Sequence, residues 1–166
     1  MDWEQREFRE QLLIDAAVDD TALAFAIGGI AMRLIPELGP DERRSWILAE
    51  LRKLLGQGLL QAGYPSRAGF QPWPLAPDRC IERIDREWQA LARDPKPGEV
   101  VWVTTTDKGH EAAKELVLQE AYYRLAAVLD LLKVGNPPSD PAEREPLYAA
   151  RDVLGQINRR SLPDWR

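Results

Sequence analysis

The chain has 166 residues, 45% of them apolar and 30% charged, with a formal charge of −5 and a pI near 5.0. That length suits one domain with a terminal extension, and the composition belongs to the globular class rather than to the disordered one. The acidity opposes a strong sequence-independent grip on nucleic acid, which needs a basic face. Residues 1–64 carry 7 Lys and Arg against 11 Asp and Glu, whereas residues 119–166 carry 7 of each. A basic partner is therefore expected at the N-terminal part.

The start, MDWEQREFRE, has no apolar core of the signal-peptide kind, and no apolar run approaches the ~20 residues that span a bilayer. Cytoplasmic residence is the expectation. The single cysteine, Cys80, excludes an internal disulfide. It falls in the first turn of a helix beginning at Pro77, where it reads as an ordinary packing residue.

Residues 2–17 read as an amphipathic helix through Trp3, Phe8, Leu12 and Ala16, with Asp2 and Glu4 suited to the positive end of its dipole. Asp19 or Asp20 is placed to cap a second helix, about 21–34. There Leu23, Ile27, Ile30 and Leu34 form one stripe, and Gly28-Gly29 suggests close approach of a neighbouring helix. Pro36 stops it. Gly39-Pro40 opens a third helix, with Pro at the first helical position and Asp41 and Glu42 behind it. That helix buries Ile47, Leu51, Leu54 and Leu55, ends at Gly56, and should expose Arg43, Arg44, Glu50, Arg52 and Lys53 beside Trp46.

Leu59-Leu60 then starts a short strand. Four prolines between 65 and 77 exclude a helix, and Phe70 and Trp73 argue for an ordered loop. Ile81, Ile84, Trp88 and Leu91 mark a helix over 77–93, and Asp94-Pro95-Lys96-Pro97-Gly98 is a turn. Residues 99–106, EVVWVTTT, form the clearest strand. Thr106 or Asp107 caps a helix running toward Lys133, and Asp140-Pro141-Ala142-Glu143 opens a last one reaching about Arg159.

Two pieces carry a resemblance. LAELRKLLGQGLLQAGY (Leu48–Tyr64) is similar to the third helix and following strand of the winged helix-turn-helix fold. VWVTTTDKGHEAAKEL (Val101–Leu116) is similar to its wing strand and to the T-x-x-G start of the next helix, with Thr106 and Gly109 in those places. The resemblance implies a mainly α fold with a small β element: a winged-helix-like core over 1–118, carrying an inserted helix at 77–93. A C-terminal helical pair, 119–166, is expected to pack on it. Such folds serve both DNA binding and protein docking. In general character the chain is also similar to uncharacterised actinobacterial-type proteins and to immunity proteins of polymorphic toxin systems.

Chemistry is sparse. His110 is the only histidine and reads as a surface or satisfied residue. No Cys/His spacing points to zinc. Asp19-Asp20 and Asp41-Glu42 have explanations as helix starts. The expectation is a non-enzymatic binding protein with no cofactor and no metal. Its leading form is an immunity- or antitoxin-like inhibitor that docks on a basic toxin domain through Trp46, Phe70, Trp73, Asp19, Asp20, Asp41 and Glu42. The rival is a DNA-binding regulator that reads bases with Arg43, Arg44, Arg52 and Lys53. A third reading is self-association through the C-terminal helices, at Tyr122, Tyr123, Leu129 and Leu132.

Overall fold

The computed structural model describes residues 2–134, with side chains through residue 121. The expected last helix and the tail around Trp165 lie outside the described residues. The chain divides into two compact units, Met1–Glu115 and Leu116–Arg166, and the sheet with the helices packed on it belongs to the first.

The described chain is mainly helical with one four-stranded antiparallel sheet. Helix α1 (Asp2–Val18) buries Phe8, Leu12, Leu13 and Ala16 and leaves Trp3 exposed. Strand β1 is only Thr21–Ala22. A helical stretch follows as α2 (Leu23–Phe25), a π-helical segment (Ala26–Ala31) and α3 (Met32–Leu34). Then come α4 (Pro40–Gly56), β2 (Leu60–Ser66), β3 (Gly69–Pro72), α5 (Pro77–Leu91), β4 (Trp102–Thr105) and α6 (Asp107–Val134). The sheet order is β1-β4-β2-β3.

The first departure from expectation is at residue 21. Neither Asp19 nor Asp20 caps a helix: Asp19 Oδ1 accepts the Asp20 N–H at 2.8 Å, and the helix starts from Ala22 with no side-chain cap. Thr21 and Ala22 instead pair with Val103 and Trp102. The pairing continues one step as the Leu23 N–H donates to Val101 O at 3.0 Å. Partners some 80 residues away override a local capping signal. Nor do Gly28 and Gly29 admit a neighbour. Both are exposed, and a Cβ at either would meet nothing within 4 Å.

Helix α4 follows its sequence signals closely. The Gly39 N–H donates to Glu42 Oε2 at 3.1 Å, the half of a capping box that glycine allows. Ile47, Leu51, Leu54 and Leu55 are buried. Its end is a Schellman turn: Gly58, at φ 66, donates to Leu55 O, and Leu59 donates to Leu54 O. The carbonyls beyond it are taken by the start of α6. Lys108 Nζ reaches Gln57 O at 2.8 Å, Thr106 Oγ1 reaches Gly58 O at 2.7 Å, and the Thr106 N–H reaches Leu59 O at 3.1 Å. Thr106 Oγ1 also accepts the Gly109 N–H at 3.0 Å and so caps α6. Gly109 lies so close that a Cβ would come within 1.9 Å of Leu59 O.

Trp46 belongs to the core, not to the surface. It is 9% exposed and stands edge-on to Phe8, with ring centroids 5.0 Å apart. Glu50, also expected outside, is 1% exposed and is bridged by Arg9 of α1 and by Lys53 at 2.7 Å. The helical period alone cannot show that α1 covers this side of α4.

The proline-rich stretch is a hairpin rather than a loop. Strands β2 and β3 pair through Gly63↔Pro72, Tyr64↔Gln71, Pro65↔Phe70 and Ser66↔Gly69. The Trp73 N–H donates to Ala62 O at 2.8 Å. That bond sets the alternation, so Pro72 occupies a non-bonded pair and points its nitrogen to the free edge of β3, where a missing donor costs nothing. Gly63 is required by this pairing, since a Cβ there would come within 2.1 Å of Gln71 O. The expected strand over 99–106 is shorter. Val100 sits at φ 67, and the Val101 N–H closes a tight turn onto Glu99 O.

Two substitutions separate close approach from strain. Gly109→Ala is expected to destabilise the fold by about 2–3 kcal/mol by forcing α6 off the α4 turn. Ala92→Gly relieves a left-handed residue (φ 53) at the end of α5 and is expected to stabilise by about 0.5–1 kcal/mol. Urea denaturation of both variants checks the signs.

Candidate functional site

Arg44 and Arg52 of α4 and Trp73 beyond the hairpin all meet side chains of α5. Its sequence places Cys80, Ile81, Ile84 and Trp88 on one buried face. With that face inward, Asp78 and Asp85 fall along α4, which runs antiparallel to it. Arg52 Nε lies 3.2 Å from Asp78, and Arg44 Nε lies 3.3 Å from Asp85. Beyond the end of α5, Asp94 pairs with Arg43 at 3.2 Å.

Arg43 is 7% exposed and also donates to Leu38 O at 3.1 Å, while its Nε is buried with no partner among the described residues. Arg44 has a second carboxylate, Asp41, at 3.1 Å. Lys53 is bound to Glu50. The arginines read as candidates for bases are thus held by carboxylates of this same chain. Arg52–Asp78 is well exposed and contributes little to stability, roughly 0–1 kcal/mol. Arg43–Asp94 is more sheltered and fixes the turn after α5.

Between the start of α4 and the end of α5 lies an open cleft of about 510 Å³. It is lined by Pro40, Asp41, Arg44, Trp88, Gln89 and the turn Ala92–Arg93–Asp94. It is polar, and its charges cancel. Arg93 closes one wall by a two-pronged bond to Glu99, both nitrogens at 2.8 Å, and Glu99 also accepts the Lys96 N–H at 2.7 Å. Those bonds, the Arg93 pair above all, hold the Glu99 carboxyl well below its usual range, at about 2.

Trp73 is half-buried. The guanidinium of Arg83 stacks over its ring at 3.9 Å, Glu87 anchors Arg83 at 2.7 Å, and Tyr64 meets the indole edge-on at 5.6 Å. The Tyr64 hydroxyl donates to Val100 O at 2.7 Å. Burial raises its pKa, and the Glu87 charge adds to that. Phe70 lies half-buried against Gly63. The stack ties the hairpin to α5, so Trp73 is a structural neighbour of Arg83 with part of its surface open.

The expected acidic residues belong to two separate stretches of the chain. Asp41 and Glu42 sit on the first turn of α4, and Asp19 and Asp20 lie at the corner between α1 and β1. His110 is exposed, and Cys80 is buried, its thiol pushed up by that burial. The side chains of Tyr122, Tyr123, Leu129 and Leu132 lie outside the described ones. Sequence reasoning passed over Arg83, Asp78, Asp85 and Asp94. A usable signal was there, since Asp78 and Asp85 are seven apart and Arg44 and Arg52 eight apart, as two facing antiparallel helices require.

Among the described residues no group of three or more His, Cys, Asp or Glu is placed to hold a metal ion, and no helix is long and apolar enough to cross a membrane. No family model, curated protein or solved structure matches the chain.

The Glu99 clasp has a pH signature. Because its folded pKa lies below the ordinary 4.5, its contribution to stability is complete above that value and is lost as pH falls toward 2. Glu99→Gln is expected to flatten that part of the acid unfolding profile. An NMR titration of the Glu99 carboxyl in the native protein is expected to give a midpoint near 2.

Proposed function

We propose that this chain is a non-enzymatic protein-binding module of the cytoplasm, built on a winged-helix-like core, and that it acts as an immunity- or antitoxin-like inhibitor docking on a basic partner. The observation that carries the reading is the position of α5. A helix that reads bases must present its basic face to the major groove. Here Arg43, Arg44 and Arg52 are each paired with an aspartate of α5 or of the turn after it. The core reading is supported by the order of α1, β1, the helical stretch from Leu23 to Leu34, α4 and β2, and by β4 lying between β1 and β2.

The net charge of −5 supports a basic partner, because complementary fields raise the encounter rate and disfavour wrong partners. In this reading the partner meets the first turn of α4, where Asp41 and Glu42 are exposed. The buried thiol of Cys80 suits a reducing compartment.

Two measurements test this. In fluorescence anisotropy with labelled genomic duplexes at low salt, no saturable binding is expected up to about 10 μM. Salt-sensitive binding in the nanomolar range that is lost in Arg52→Glu would instead establish the regulator reading. Affinity capture of the tagged chain from its own cell, with nuclease present, is expected to retain a stoichiometric basic protein. Asp41→Lys is expected to weaken that complex at least tenfold, and an unchanged affinity would remove the first turn of α4 from the surface.

A further inference from the structure

Among the described residues, two that are not glycine adopt the left-handed conformation, Ala92 (φ 53) and Val100 (φ 67). L side chains resist that conformation, a β-branched one most of all. The two bracket a single segment, 92–100, with the left-handed Gly98 (φ 90) inside it. Ala92, Arg93 and Asp94 also line the cleft between α4 and α5. Strain of this kind persists only where the surrounding structure imposes it, and it gathers at clamps and switches.

The end at Val100 is where the sheet lets go of the chain. Continued past Gly63↔Trp102, the β2–β4 register sets Pro65 opposite Val100. The alternation that starts from the Thr106 N–H bond to Leu59 O makes this a hydrogen-bonded position. Pro65 has no N–H to give, so the Val100 carbonyl takes the Tyr64 hydroxyl at 2.7 Å instead. On the β1 side Leu23 has already entered α2, and its carbonyl accepts the Ala26 N–H. The Val101 N–H therefore turns back on Glu99 O at 2.9 Å, closing the tight turn about Val100.

Little apolar burial anchors the segment itself. Of residues 92–100 only Pro95 and Val100 are buried. Polar bonds hold the rest: Asp94 to Arg43 at 3.2 Å, Arg93 to Glu99 through two nitrogens at 2.8 Å, and the Lys96 N–H to the Glu99 carboxylate at 2.7 Å. Segments held in this way open locally while the sheet beside them stays formed.

We infer that residues 92–100 are a latch on the cleft wall, turning on Ala92 and Val100. Closed, it seats Asp94 against Arg43. Open, it uncovers the Arg43 guanidinium, which is 7% exposed and has its Nε without a partner among the described residues. The cleft beside Arg44 widens by the same movement. The latch does not depend on the partner reading above.

Native-state hydrogen exchange of the full chain, followed by NMR at neutral pH, tests it. The Lys96, Glu99 and Val101 amides are expected to exchange through one opening, at least about a hundredfold faster than Gly63 and Thr104 of the central strands. Tyr64→Phe and Glu99→Gln remove holds at different points of the segment, and each should speed all three amides about fivefold or more. Ala92→Gly relieves the closed state at the other hinge and should slow all three by about twofold or more. Exchange no faster than that of Gly63 and Thr104, or substitutions that each move only the nearest amide, overturns the inference.

Discussion

The junction between the end of α4 and the start of α6 carries the rest of the fold. The turn that ends a helix leaves carbonyls that take donors from water or from the chain itself. Here Lys108 and Thr106 supply those donors, and Gly109 allows the approach. Because β2 leaves this turn and β4 enters it, the same bonds hold the two central strands in register from Leu60↔Thr105 to Gly63↔Trp102. β1 pairs with β4 and β3 with β2, so each outer strand depends on that register.

Helix α5 is the second organising element, and its role is electrostatic as well as apolar. One face is buried through Ile81, Ile84 and Trp88, while its flanks make two sets of contacts. Asp78 and Asp85 neutralise the arginines of α4, and Arg83 covers Trp73 of the hairpin. Helix, hairpin and α4 therefore behave as one block. Arg43, Arg44 and Arg52 each have an aspartate of α5, or of the turn after it, as partner.

Much of the helical architecture was legible. The limits of α4 followed from Gly39-Pro40 and Gly56, those of α5 from Pro77 and its apolar spacing, and the start of α6 from Thr106 and Gly109. These signals are local, because caps and periodicity act within a few residues. What stayed hidden is long-range. Strand β1 exists through partners at 102 and 103, and the hairpin holds prolines in non-bonded pairs that local rules read as a loop. Trp46 looked like a surface residue because only the docking of α1 covers it. Of the candidate site, the residue types were visible, whereas their pairing across α4 and α5 depended on how two helices face each other. Gly28 and Gly29 show the reverse case: a local signal with no counterpart in the packing.

Pro72 on β3 bears on how the protein behaves when crowded. An outer strand normally offers a row of donors and acceptors to any passing strand, the route by which sheets grow into fibrils. On β3 that row is four residues long, and Pro72 removes a donor from its outer side. At the opposite edge β1 has only two residues. Both borders of the sheet are therefore poor templates for another strand, so concentrated solutions should resist fibril formation.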